Sequence, residues 1–446
     1  MAHPIPLPVS NSNLNKNVSL ILVFNFLWLL TRSLWESANI SAYIFLLEHR
    51  YKSYVGYAAS IEGLAQLLVS IPAGILSDRF RRDSVLRISA FVSIASLLFT
   101  AYAVYSCNII LVYVAMAFWG TAYALNDAPM ESVFADSTTT GTRSEIYVTK
   151  FILMQAGRGF GSVIVVVLFY MVGNEWVVGE VQIIIYVGLL LTMIPAIMQA
   201  FVNDDYSLSV ESEASDSLAG NTLAEPLIGD YPSSSIDKYI CDQWVVDYAP
   251  IMVAGSDLLT ALGAGATVKF FSLFFIEEFM VSPTEVGLLF AMTPFACCVS
   301  SMVSARIARR IGRINAVVIA HVLGASLLFV VAVSYTAREA VIAYIIRTAV
   351  MNSFKPLKRS LLMDIIPKKR RGYWNSLESV TVFSWTGSAA IGGIIVDHWG
   401  YRVCFVATGF LYLISSIPMV LLSYWNLDRI LSRRSSTPRR ITLPTP

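Results

Sequence analysis

Charge is what this 446-residue chain has least of: Asp, Glu, Lys and Arg together make up 14%, against about 25% in soluble domains. So few charges cannot cover the surface of a soluble globule of this length, which excludes the ordinary water-soluble fold classes. Net charge is +2, so no polyanionic partner such as nucleic acid is indicated. The five cysteines (Cys107, Cys241, Cys297, Cys298 and Cys404) are odd in number and lack metal-ligand spacing, indicating neither a disulfide framework nor a zinc site. Residues 1–17 hold a single Lys and no apolar core, unlike a cleavable signal peptide, so the first apolar segment is expected to serve as the insertion signal. What remains is apolar, at 56% hydrophobic residues. Sheet edges cannot face lipid, so the expectation is an all-α polytopic membrane protein in contact with the bilayer.

A bilayer core of about 30 Å needs roughly 20 apolar residues per helix. Twelve such runs are read at 18–45, 54–76, 85–106, 109–133, 146–172, 181–202, 247–276, 284–304, 314–334, 338–363, 374–396 and 401–425. Basic residues in the short connections set orientation. Arg79, Arg81, Arg82 and Arg87, then Arg143 and Lys150, then Arg306, Arg309, Arg310 and Arg313 share one side with the bases from Lys355 to Arg371 and with the basic tail. The opposite connections hold only Arg50, Lys52, Arg338 and Arg402, so both termini are expected in the cytosol.

Five regions follow: an N-terminal tail (1–17), a first six-helix bundle (18–202), an acidic, Ser-rich linker (203–245), a second bundle (246–425) and a basic tail (426–446). Low hydrophobicity marks the linker as disordered spacer. The halves read as repeats. Asp136 and Arg143 reappear as Asp364 and Arg371, and Arg79–Arg82 as Arg310–Arg313, at nearly constant offset. That implies duplicated bundles about a pseudo-twofold axis along the membrane normal.

Between the second and third runs stands Gly74-Ile75-Leu76-Ser77-Asp78-Arg79-Phe80-Arg81-Arg82. It resembles the Gly-x-Leu-x-Asp-Arg-x-Gly-Arg-Arg loop of the major facilitator superfamily, matching at Gly74, Leu76, Asp78, Arg79 and Arg82, with Arg81 in place of the usual Gly. The mirror loop, Arg306 to Arg313, keeps Gly312-Arg313 but puts Arg309 at the acidic position. The family's fourth-helix Arg, four residues before a Gly, is replaced by Met116 before Gly120. The fifth helix has Gly157 and Gly161 without the antiporter proline, a spacing most simply read as close helix packing. The resemblance implies the family's twelve-helix fold and an alternating-access secondary transporter, a symporter or antiporter. It does not identify the substrate.

Ionisable residues at membrane depth cost about 2.5–3.5 kcal/mol each, so each requires an explanation. In the first run Asn25, Trp28, Arg32, Glu36, Asn39 and Tyr43 recur at helical spacing on one face. That face is too polar for lipid and is expected to line a cavity binding a small-molecule substrate or protons. Arg32 and Glu36, one turn apart, read either as a self-neutralising pair or as a binding pair. Arg158, beside Gln155 and Ser162, and Asp257, Arg347 and a Glu62–Gln66–Ser70 stripe join the candidates. Trp119, Tyr123 and Trp385 are candidate cavity walls or plain packing, and His321 reads as a satisfied core residue. Glu36 or Asp257 is the expected carrier of a coupling proton.

At the repeat offset, Asp127 and Glu131 map onto Lys355 and Arg359, and Lys150 onto Glu378, with every sign reversed. An inter-half cytosolic gate is expected from these six, the alternative being neutralisation within each half, as Glu131 with Lys150. No nucleophile–base constellation, metal site or phosphate-binding loop is present in the pattern, so neither enzyme activity nor a cofactor is expected. Transport of a small organic solute is the leading reading. A transport-inactive receptor or scaffold on the same fold is the alternative.

Overall fold

The computed structural model describes residues 15–36, 38–48, 50–138, 143–206, 233–355, 358, 371–425 and 427, and among these not the side chains of residues 78, 143–145, 233–244, 246, 247, 305 and 371–379. The described residues form helices with no strand. They are α1 (Lys16–Trp35), α2 (Ala38–Leu47), α3 (Ser53–Arg79), α4 (Arg82–Tyr105), α5 (Ile109–Asp136), α6 (Arg143–Val172), α7 (Val178–Met198), α8 (Ser233–Val268), α9 (Phe271–Phe279), α10 (Pro283–Ile311), α11 (Arg313–Val333), α12 (Ala337–Ser353) and α13 (Arg371–Tyr424).

Ten segments of described residues are long and apolar enough to cross a membrane. One of them, Val380–Tyr424, runs 45 residues, roughly twice what a single crossing needs. It turns at Gly400, where φ is +83°, a left-handed conformation that costs glycine little. α12, at 17 residues, falls short of a full crossing, and much of the run expected over 338–363 lies outside the described residues. Two expectations change. The first and seventh runs are each broken, into α1 and α2 and into α8 and α9. The linker expected over 203–245 is helical from Ser233 onward.

The helices assemble as two equivalent sets. In the first half α1 packs on α6 and α7, and α5 on α3 and α4; in the second, α8 packs on α13 and α12 on α10 and α11. Gly157 and Gly161 do face α1, where an added Cβ would stand 2.4 Å from Phe26 O and 2.0 Å from Ser33 Oγ. Two pairs, α3 with α13 and α6 with α10, supply most contact between the halves.

These junctions concentrate at one end of the bundle. We call the end holding Asn15, Arg82 and Asp136 the near end, and that holding Lys52, Trp176 and Asp397 the far end. Along α3 the far-end half abuts α13: a Cβ on Gly56 would lie 2.3 Å from Ala389 O, and one on Gly63 1.6 Å from Thr386 Oγ1. Farther along, toward the near end, a Cβ on Gly74 would meet nothing within 4 Å. Among the described residues, the contacts of α3 with α13 therefore lie toward the far end. Gly63→Leu should wedge the far end open, since the side chain must displace Thr386 and its helix. A cysteine at Ser60, which hydrogen-bonds Thr386 O and Gly387 O, should then react with an impermeant maleimide at least tenfold faster. Unchanged labelling would count against this closure.

Candidate functional site

The interior polar groups gather where α1 ends. Arg32 and Glu36 sit one turn apart there, and the guanidinium meets the carboxylate through Nε–Oε2 and Nη2–Oε1. Tyr123 on α5 donates its hydroxyl to Glu36 Oε2 at 3.0 Å, and its ring lies 4.1 Å from the Arg32 guanidinium carbon. Trp28 and Trp119 close the aromatic wall at 6.2 Å from each other, and Trp119 Nε1 donates to Thr100. An ion pair that is partly buried needs such extra donors to offset desolvation. Arg32 and Glu36 thus pair with each other, with Tyr123 and Trp28 against the guanidinium.

Glu62 on α3 stands beside this pair. It is 7% exposed and has no hydrogen bond or ion pair among the described residues. The second half answers with Lys269, which occupies the break between α8 and α9, acts electrostatically on both Glu36 and Glu62, and lies 5.8 Å from the centre of the Trp385 ring. Sequence reasoning missed Lys269. The signal was present, since it is the only base in the run 247–276 and carries the same insertion cost that singled out Arg32.

Toward the near end, Arg158 is solvent-accessible and bonds Gln155 at 3.2 Å. Arg347 is buried, donates to Tyr412 Oη at 2.6 Å, and stacks 5.2 Å from the Phe271 ring. Asp257 is paired with Lys358 at 2.7 Å.

Several expected cavity residues are placed elsewhere. Asn39 is buried and donates back to Leu34 O. Tyr43 is buried within the first half and donates to Val104 O at 2.9 Å. Asn25 bonds its own helix at Ile21 O. His321 is buried as expected, and its Nδ1 has no partner among the described residues. Of the six expected gate residues, Lys150 instead bonds Glu131 within the first half, and Asp127 accepts from Gln66 at 3.4 Å. Arg359 and the Glu378 side chain lie outside the described residues, and Lys355 makes no ion pair among the described residues. In the family-type loop, Arg82 pairs with Asp136, Arg79 is exposed and Leu76 half-buried. The side chain of Asp78 lies outside the described residues.

A polar clamp that the sequence reading did not anticipate closes the far end. Asp397 on α13 accepts the backbone N–H groups of Lys52 and Ser53, each at 2.8 Å, and so caps the start of α3 from the opposite half. Lys52 Nζ reaches Glu277 at 3.1 Å, and Tyr401 donates to the same carboxylate at 2.7 Å. Trp176 donates to Val281 O, and Thr284 N–H to Asn174.

Residues 24–246 and 253–444 match the sequence profile of the Major Facilitator Superfamily. No curated protein sequence matches the chain. Among solved structures it is similar to a bacterial homolog of the human lysosomal transporter Spinster in an inward-facing, unoccupied conformation. That likeness has a TM-score of 0.66 and 11% identity over 96% of this chain and 100% of the other. It is similar also to a bacterial homologue of the iron transporter ferroportin in an outward-facing state, with TM-score 0.60, 12% identity, and 92% and 100% coverage. The nucleoside transporter NupG gives a TM-score of 0.58 at 13% identity, with 92% and 99% coverage. At such identities the likeness is one of fold.

Proposed function

The chain belongs to the major facilitator superfamily, and from that premise we propose that it moves a small polar organic solute across a membrane by alternating access. The observation that carries this reading is the mixed-charge cluster of Arg32, Glu36, Glu62 and Lys269, walled by Tyr123 and Trp385, where the two halves meet. Such groups are expensive at membrane depth and mark a solute or ion path. With the basic near end in the cytosol, the far-end contacts between the halves support an inward-open reading, and rocking about the α3–α13 and α6–α10 junctions would expose the same cluster to the far side.

Protons supply the coupling in this reading, and Glu62 replaces Glu36 and Asp257 as the carrier. Protonating Glu36 or Asp257 would break its ion pair with Arg32 or Lys358. Glu62 can take up a proton without losing any partner. In proteoliposomes screened with a panel of labelled solutes, Glu62→Gln should abolish accumulation driven by a pH gradient and leave solute exchange within about threefold of wild type, a difference of under 1 kcal/mol. Gradient-driven accumulation surviving in Glu62→Gln removes Glu62 as carrier. A folded protein that moves no member of the panel under any gradient argues against transport itself.

A further inference from the structure

α10 starts at the far end, where Thr284 meets Asn174, and runs 29 residues to the near end. Leu288, Met292, Phe295, Val299 and Met302 recur along one face of it at every third or fourth position, each 47–62% exposed. The helix meets its neighbours on other faces: Gly287 abuts Val166 of α6, and Cys297 reaches Thr348 O of α12. Polar groups at membrane depth turn to the interior or to water, so an exposed stripe with none is a lipid face. At the same spacing the stripe ends in Arg306, Arg309 and Arg310. All three are exposed, and none makes an ion pair or a side-chain hydrogen bond among the described residues.

The first half supplies the comparison. On α3 the exposed stripe is Leu64, Leu68, Ile71 and Ile75, at the offset of 231 residues that relates Arg79 to Arg310. At that offset Ile75 stands where α10 has Arg306, and Asp78 where it has Arg309. The three positions carry no net charge in the first half and three positive charges in the second. The bases that follow on the first half are neutralised as well. Arg81 pairs with Asp83 at 3.2 Å and Asp205 at 2.7 Å, Arg87 with Asp83 at 3.3 Å, and Arg82 with Asp136. Topology accounts for bases on this side of the membrane. It does not call for three unpaired ones at the end of a lipid face in one half only.

We propose that Arg306, Arg309 and Arg310 bind the phosphate of an anionic phospholipid in the near-end leaflet, with its acyl chains along Val299, Met302 and Val303. A guanidinium presents paired donors matched to phosphate oxygens. Each base close to an anionic bilayer surface strengthens binding about fivefold, and the apolar stripe keeps the headgroup at the end of the helix. α10 also meets α6, where a Cβ on Gly159 would stand 2.9 Å from the Phe295 ring, so the lipid is held by a helix of the junction between the halves.

The test uses the full chain in nanodiscs of phosphatidylcholine with a minor share of phosphatidylserine, and native mass spectrometry reads which lipid stays bound. Wild type should retain phosphatidylserine over phosphatidylcholine by roughly tenfold or more. Arg306→Ile with Arg309→Asp gives α10 the residues of α3 and should abolish that preference. Should this double variant fail to insert, Arg306→Ile alone decides, with an expected loss of about fivefold. Lysine at all three positions keeps charge and topology and should keep most of the preference. Arg79→Gln with Arg87→Gln removes two bases from the first half and should leave it unchanged. No preference in wild type, or an equal loss in the first-half and second-half variants, would overturn the site in favour of general attraction to positive charge. Inorganic phosphate and glycerophosphoserine serve as soluble probes. Displacement of the bound lipid by either at equal concentration would mark a soluble-anion site and overturn the lipid assignment.

Discussion

Asp397→Ala is expected to open the far end and shift the balance between the two conformations by about 3 kcal/mol, on the order of a hundredfold. One carboxylate accepts two backbone N–H groups from the start of a helix in the opposite half. Hydrogen bonds to a charged group contribute about 1.5–3 kcal/mol each, and an anion at a helix N-terminus adds about 0.3–1 kcal/mol. Lys52 and Ser53 would lose both acceptors at once and could regain them only from water, which enters as the halves part. Asp397→Asn keeps an acceptor without the charge and should fall between wild type and Ala. Spin labels at Tyr51→Cys and Trp399→Cys, both exposed at the far end, would report a longer distance population in Asp397→Ala. A distance distribution identical to wild type would show that the clamp does not hold this conformation. Lys52 and Glu277 lie 3.1 Å apart in the same clamp, so Glu277→Gln should act in the same direction and more weakly.

The second large effect is expected at Arg32 and Glu36. Glu36→Gln leaves the Arg32 guanidinium against Tyr123 and Trp28 without its carboxylate and should destabilise the protein by about 3 kcal/mol, near the lower bound for breaking a buried pair. The lower bound applies because the Arg32 side chain keeps 24% exposure. Adding Arg32→Gln removes the stranded charge, so the double variant should be more stable than Glu36→Gln alone. The order of unfolding temperatures in detergent decides this. Strictly additive losses would mean that the two side chains do not stabilise each other, contrary to their geometry. Stability recovered in the double variant without recovery of transport would mark the pair as part of the solute path as well as of the fold.

Much of the architecture was legible from the chain alone. Hydropathy is a local, additive property, and the bilayer demands that every backbone polar group in a span be satisfied within its own helix. Membrane class and most helix positions follow from that rule, the repeated charged motifs indicate the duplicated halves, and the Gly74–Arg82 loop carries the family resemblance. Arg32 and Glu36 were legible too, because helical spacing brings them together without help from another segment. Where burial decides, spacing is silent: Asn39 and Tyr43 keep the periodicity of that face, yet both are buried, on Leu34 O and Val104 O.

Tertiary structure alone decided which charges meet. Glu131 could pair within its own half or across the seam, and spacing cannot choose between them; packing placed it on Lys150. Asp397 drew no attention in the sequence, and α13 brings it to the backbone of Lys52 and Ser53 in the other half. Lys269 was a stray base in an apolar run until the break between α8 and α9 set it opposite Glu62. Insertion cost identifies a buried charge one residue at a time, whereas its partner is fixed by contacts between segments far apart in the chain. The sequence by itself determined that this is a two-fold helical membrane protein with charges it must account for, and only the packing of the two halves settled where those charges are neutralised and where they are left open.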